Sequence, residues 1–113
     1  MTYEKNHSLI YTLNKCAAAC NYCAMACLEE EEVQLLRDCI KTNLDCADIC
    51  HVTATLLSRG SAFSASLLEE CAVLCNACAA TCKKHAHMEH CRVCAETCFA
   101  CGEECAAYAT ETA

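Results

Sequence analysis

The segment Cys16-Ala17-Ala18-Ala19-Cys20-Asn21-Tyr22-Cys23-Ala24-Met25-Ala26-Cys27 decides the fold. Its cysteines advance by four, three and four residues, the alternation that keeps side chains on one face of an α-helix. The same steps recur at Cys71, Cys75, Cys78 and Cys82. They return at Cys91, Cys94, Cys98, Cys101 and Cys105, while Cys39, Cys46 and Cys50 follow them with one step of seven, where Asn43 takes the skipped place. Sixteen of the 113 residues are cysteine, and all of them fall on these four stripes.

The numbering also supplies a register, because facing residues in an antiparallel pair have positions that add to a nearly constant value. By that rule Cys27, Cys23, Cys20 and Cys16 face Cys39, Asn43, Cys46 and Cys50. These in turn face Cys82, Cys78, Cys75 and Cys71, which face Cys91, Cys94, Cys98 and Cys101. The sequence therefore predicts an all-α fold, an antiparallel up-down-up-down four-helix bundle with a cysteine-lined core and short loops, as one domain over residues 1–113.

Read across the bundle, the layers are Cys16/Cys50/Cys71/Cys101, Cys20/Cys46/Cys75/Cys98, Cys23/Asn43/Cys78/Cys94 and Cys27/Cys39/Cys82/Cys91, with Cys105 extending the stack. Each step rises about 5 Å, which makes a thiol column about 20 Å long.

Helix boundaries follow from caps and charges. The first helix is expected from Thr2 or Ser8 to Leu28. The acidic run Glu29 to Glu32 makes the turn and opens the second helix, where the macrodipole favours negative charge. That helix ends at Arg59, with Gly60 in the left-handed conformation after it. Ser61 or Ser64 caps the third helix, Ser66 with Glu69 offers a second capping box, and Lys83 and Lys84 close it. The fourth starts near His87 to Glu89 and frays after Tyr108. No proline interrupts any of them.

The two ends of the column differ. Leu9, Leu13, Leu57, Leu68 and Tyr108 gather as an apolar plug at one end. At the other, Lys84-His85-Ala86-His87-Met88-Glu89-His90 lies just beyond the Cys27/Cys39/Cys82/Cys91 layer, giving a mouth lined with imidazole and thioether.

Composition excludes several classes. Met1 to Lys15 holds no apolar leader segment or cleavage signature, so this cysteine content points to a reduced cytoplasmic protein rather than a secreted disulfide scaffold. Uncharged stretches reach about a dozen residues, as in Cys16 to Leu28, short of the roughly 20 that cross a membrane, so no membrane partner is expected. A net charge of −7 without a basic stripe argues against nucleic acid. Neither a Cys–His–Asn set, paired carboxylates nor a phosphate loop stands out, and many equivalent thiols single out no nucleophile, so the chain is read as no enzyme.

Soft thiolates select Cu(I), Zn(II) or iron–sulfur clusters. Cu(I) accepts two or three sulfurs, and with metal–sulfur bonds of about 2.3 Å a linear pair spans roughly 4.6 Å. Cysteines at i,i+3 or i,i+4, with Cβ atoms about 5–6 Å apart, close on such an ion by χ1 rotation, and each sulfur can bridge to a second ion. A Cu(I) that displaces one thiol proton leaves the core neutral. Four thiolates around zinc leave a charge of about −2 per site in a low-dielectric interior, and the stripes contain no Lys or Arg to offset it. Multiple Cu(I) ions per chain are therefore expected. Protonated cysteine behaves as a small hydrophobe, so the metal-free chain is expected to be helical.

Here the pattern resembles the cytosolic copper storage proteins, bacterial bundles lined with cysteine, over essentially the whole chain. The resemblance rests on Cys16-x3-Cys20-x2-Cys23-x3-Cys27, on Cys39-x6-Cys46-x3-Cys50, and on Cys78-x3-Cys82 followed by His85-Ala-His87-Met-Glu-His90-Cys91. It implies high-capacity Cu(I) storage by the core thiolates, uptake at the histidine end and assembly as a homotetramer. A copper chaperone or a low-molecular-weight thiol is the expected donor.

Other readings compete. Fifteen cysteines in sixteen stacked positions exceed what small-residue core packing needs. Ferredoxin cysteines lie in a loop followed by proline, and proline is absent here. A zinc or general soft-metal buffer is the main rival. The metal-site candidates are the sixteen cysteines with His85, His87, Met88 and His90, and more weakly Asn43, which is more often a buried polar register device than a ligand. His7, Met25 and His51 lie off the stripes and receive no role.

Overall fold

In the computed structural model, which describes residues 3–112, four helices account for most of the chain. They are α1 (Tyr3–Leu28), α2 (Arg37–Ser58), α3 (Ser64–Lys83) and α4 (Glu89–Thr112). Each packs along its ring neighbours α1–α2, α2–α3, α3–α4 and α4–α1, as the register requires, in a rod of 46 × 19 × 19 Å. The expected all-α up-down-up-down bundle is what forms.

The helices close on one another because the residues beside the cysteines are small. Ala17 and Ala24 on α1, Ala47 and Ala54 on α2, and Ala72 and Ala79 on α3 are all buried at seven-residue spacing. Gly102 does the same for α4. A Cβ there would meet Asn76 Oδ1 at 2.8 Å and Cys75 Cβ at 3.3 Å, so the glycine lets α4 lie close against α3. Thr53, fully buried, satisfies its hydroxyl by donating to the Ile49 carbonyl one turn back at 2.6 Å.

Several helix ends differ from expectation. The acidic run does not open α2: Glu29–Glu32 form turns, a 3-10 turn spans Val33–Leu36, and α2 begins at Arg37. Leu36, buried at the turn's end, anchors this longer connection against the core. α2 ends as expected, with Gly60 at φ +64° and the Ser61 amide donating to the Leu56 carbonyl at 3.0 Å. Neither Ser64 nor Ser66 caps α3. Phe63 holds the N-cap position, and Ser61 Oγ accepts the Phe63 amide at 3.1 Å, closing the turn before the helix. α4 continues past Tyr108 to Thr112. The expected start of α1 at Thr2 lies outside the described residues.

By length and composition α3 could cross a membrane. Its apolar stripe is instead the thiol face, with Leu68, Cys71, Cys75, Cys78 and Cys82 at 0 % exposure inside the bundle. The plug is in place too: Leu9, Leu13, Leu57, Leu68 and Tyr108 are all buried. His7, Met25 and His51, which sequence leaves without a role, are exposed.

Candidate metal centre

All sixteen cysteines are buried and free. Facing pairs follow the predicted layers, with sulfur separations of 3.3 Å for Cys39–Cys82, 3.5 Å for Cys50–Cys71, 3.4 Å for Cys20–Cys98 and 3.6 Å for Cys46–Cys75. The layers are not flat, however. Cys16 reaches Cys98 at 3.7 Å and Cys50 reaches Cys75 at 3.6 Å, so the sulfurs interleave between levels.

Interleaving produces ligand groups that share members. Cys16, Cys46, Cys50 and Cys75 bring their sulfurs within 4.8 Å of one another, as do Cys16, Cys20, Cys46 and Cys98, then Cys20, Cys78, Cys94 and Cys98. Cys23, Cys82 and Cys94 form a smaller group. Because Cys16, Cys20, Cys46 and Cys98 each belong to two four-sulfur groups, one sulfur can serve ions at two levels.

Asn43 fills the gap in the α2 stripe and is wholly buried. Its Oδ1 accepts thiol protons from Cys78 at 3.1 Å, Cys94 at 3.2 Å and Cys82 at 3.4 Å, and its Nδ2 donates to the Cys39 sulfur at 3.6 Å. An amide here does what a fourth thiol cannot, presenting a strong acceptor to three weak donors.

At the mouth the three histidines separate. His90 Nδ1 lies 3.5 Å from the Cys91 sulfur, 3.6 Å from Cys23 and 3.9 Å from Cys27. These four form a mixed nitrogen and sulfur ligand group. The His90 ring is oriented from its other side, where Nε2 is 3.0 Å from Glu30 Oε2, a carboxylate partner of the kind that fixes the tautomer of a metal-binding histidine. His85, His87 and Met88 instead line an open cleft of about 530 Å³ with Glu29 to Glu32, Leu35 and Leu36. Sequence places all three imidazoles at the mouth. The structure brings only His90 among the sulfurs, and it brings in Glu30, which the sequence reading treats only as a helix-end charge.

Protonation follows burial and donation. Burial pushes the Cys91 thiol up to about 11 and raises Cys27 as well. Cys39 goes the other way, because hydrogen bonds from Cys23 and Cys82 hold it below the ordinary thiol value. The mouth layer thus combines proton-holding thiols with one sulfur that favours the thiolate, the form that binds soft metals.

Residues 2–110 of this chain match the copper storage protein family. The chain belongs to that family. It is 43% identical to a cytosolic copper storage protein from Streptomyces lividans whose structure, captured during copper loading, holds five coppers. The two cover 95% and 93% of each other's chains with a TM-score of 0.90. It is also similar to the Cu(I)-bound copper storage protein BsCsp3, at 36% identity over 93% of this chain and 98% of that one, with a TM-score of 0.89. A cysteine-rich Bacillus subtilis protein of uncharacterised function, YhjQ, is 40% identical over 79 residues, 70% of this chain and 72% of its own length. Membership of a storage family agrees with the reading that the chain is no enzyme.

Proposed function

We propose that this copper storage protein holds several Cu(I) ions per chain on its core thiolates in the cytoplasm, admitting them at the end marked by His85, His87, Met88 and His90. The observation that carries this is the sharing of sulfurs among overlapping groups of the buried column. Separate sites each need their own ligands, whereas shared sulfurs suit an ion that takes two or three thiolates and tolerates bridging. Ions load from the Cys23/Cys27/His90/Cys91 group inward, and the Asn43 oxygen adds a ligand where the column lacks a cysteine. A copper chaperone or a small thiol delivers the metal, and four chains assemble as a homotetramer, the state the family resemblance implies.

One observation favours the rival zinc buffer. Four sulfurs set tetrahedrally at about 2.3 Å from zinc lie roughly 3.8 Å apart, close to the separations of 3.6 Å for Cys46–Cys75 and 3.9 Å for Cys46–Cys50. Charge weighs against it, since the column holds no Lys or Arg to offset repeated tetrathiolate sites. An anaerobic titration of reduced protein with Cu(I) against a chromophoric chelator, run beside Zn(II), decides. Tight uptake of about one Cu(I) per cysteine without zinc competition supports storage; saturation at a few ions, or displacement by zinc, overturns it.

A further inference from the structure

The column has a lateral approach beside its mouth. Of the four neighbouring helix pairs, α4–α1 is the one that no loop joins and the most lightly packed. It is tied near its ends, by the Lys5–Glu111 ion pair beside the plug and by His90–Glu30 at the mouth. Against the His90 tie lies a cleft of about 360 Å³, lined by Ala19 and Tyr22 of α1 and by Glu89, His90, Val93 and Cys94 of α4, within the range of small-molecule sites.

What the cleft reaches distinguishes it from a surface groove. Cys94 is a member of two interior sulfur groups and lies one layer inside Cys91. Cys94, though buried, is the cysteine that lines the cleft. The cleft therefore ends on the core at the Asn43 layer, where Cys94 donates to Asn43 Oδ1 at 3.2 Å, and it bypasses the Cys27/Cys39/Cys82/Cys91 layer. Tyr22 and Val93, both exposed, form its walls, and Glu89 at the rim supplies a carboxylate.

We propose that this cleft is a thiol-exchange port through which a low-molecular-weight thiol carrying an amino group withdraws Cu(I) from Cys94. The amino group meets Glu89 while the sulfur approaches the metal between Ala19 and Val93. Exchange is a ligand substitution repeated at each cysteine that holds the ion, Cys94 first: a bond forms between Cu(I) and an incoming sulfur, the Cu(I)–cysteine bond breaks, and the proton of the incoming thiol passes to the released cysteine sulfur, until the ion leaves bound by the small thiols alone. Copper stays Cu(I) throughout, so no oxidant or reductant is consumed. This port rests on the storage reading, and it gives release a lateral route that adjoins the uptake group at His90 but meets the column one layer further in, at Cys94.

The test loads wild type, Ala19→Phe and Val93→Ala anaerobically with Cu(I), then follows removal by glutathione into a chromophoric chelator. Filling the cleft with Ala19→Phe should slow removal about tenfold, equivalent to about 1.4 kcal/mol of barrier. Widening it with Val93→Ala should speed removal, and both variants should keep wild-type capacity. Removal at the wild-type rate from both variants overturns the port and leaves storage standing. If circular dichroism shows that Ala19→Phe does not fold, Val93→Ala decides alone, and an unchanged rate overturns the port. A wild-type chain that takes up no Cu(I) in the titration without thiol overturns the storage reading, and the port with it.

Discussion

Asn43 Oδ1 lies 3.1 Å from the Cys78 sulfur and takes further thiol protons from Cys94 and Cys82, which makes one amide oxygen of α2 the common acceptor for thiols of α3 and α4. Without metal it satisfies donors that would otherwise face only one another. It also fixes the levels at which three helices meet.

Replacing that acceptor should cost stability. Asn43→Ala leaves three buried donors without their oxygen and is expected to destabilise the metal-free protein by about 1–3 kcal/mol. Urea unfolding under reducing conditions measures this, and a midpoint equal to wild type would show that the thiols satisfy one another unaided.

Capacity should depend on which sulfur is removed. Cys20 belongs to two four-sulfur groups, whereas Cys105 belongs to none and has a neighbouring sulfur in Cys101 at 4.0 Å. Cys20→Ala is therefore expected to lower bound Cu(I) more than Cys105→Ala in the same chelator titration. Equal losses would mean that sulfurs bind singly.

The mouth histidines should affect rate more than amount. Alanine at His85, His87 and His90 together is expected to slow Cu(I) uptake while leaving final capacity nearly intact. His90→Ala alone should account for most of the slowing, since it removes the nitrogen 3.5 Å from the Cys91 sulfur and 3.6 Å from that of Cys23. Stopped-flow loading of the single and triple variants separates the contributions, and wild-type rates in the triple variant would refute the uptake role.

Alkali should weaken the metal-free fold. The folded chain holds the Cys91 proton up to about 11 against an ordinary value of 9.0, so between those values the folded state carries more protons than the unfolded one. Stability from this group is fully present below 9.0 and is lost as pH rises through about 11. Thermal melts from pH 9 to 11 should show a falling midpoint, and a constant one would place the Cys91 proton elsewhere.

Sequence carries the thiol stripe plainly, because a step of three or four residues is visible in one dimension and proline is absent throughout. The sum rule places Cys39 against Cys82 and Cys50 against Cys71, as found. It says nothing of offsets along the axis, which is why the interleaving of Cys16 with Cys98 emerges only in three dimensions. Nor does it distinguish His90 from His85 and His87. That division depends on α4 starting at Glu89, which sets His90 on a helix beside Cys91 and leaves the other two in the connection. The 3-10 turn at Val33–Leu36 escapes the reading for a related reason, since four acidic residues suit a helix start and a turn equally well.

The tie between Lys5 and Glu111 puts the start of α1 and the end of α4 on the plug side, opposite the histidines. A label, an affinity handle or a surface attachment placed at these helix ends would leave the histidine end facing outward. Copies tethered by their plugs would form a layer of parallel wells, each filled from the same side.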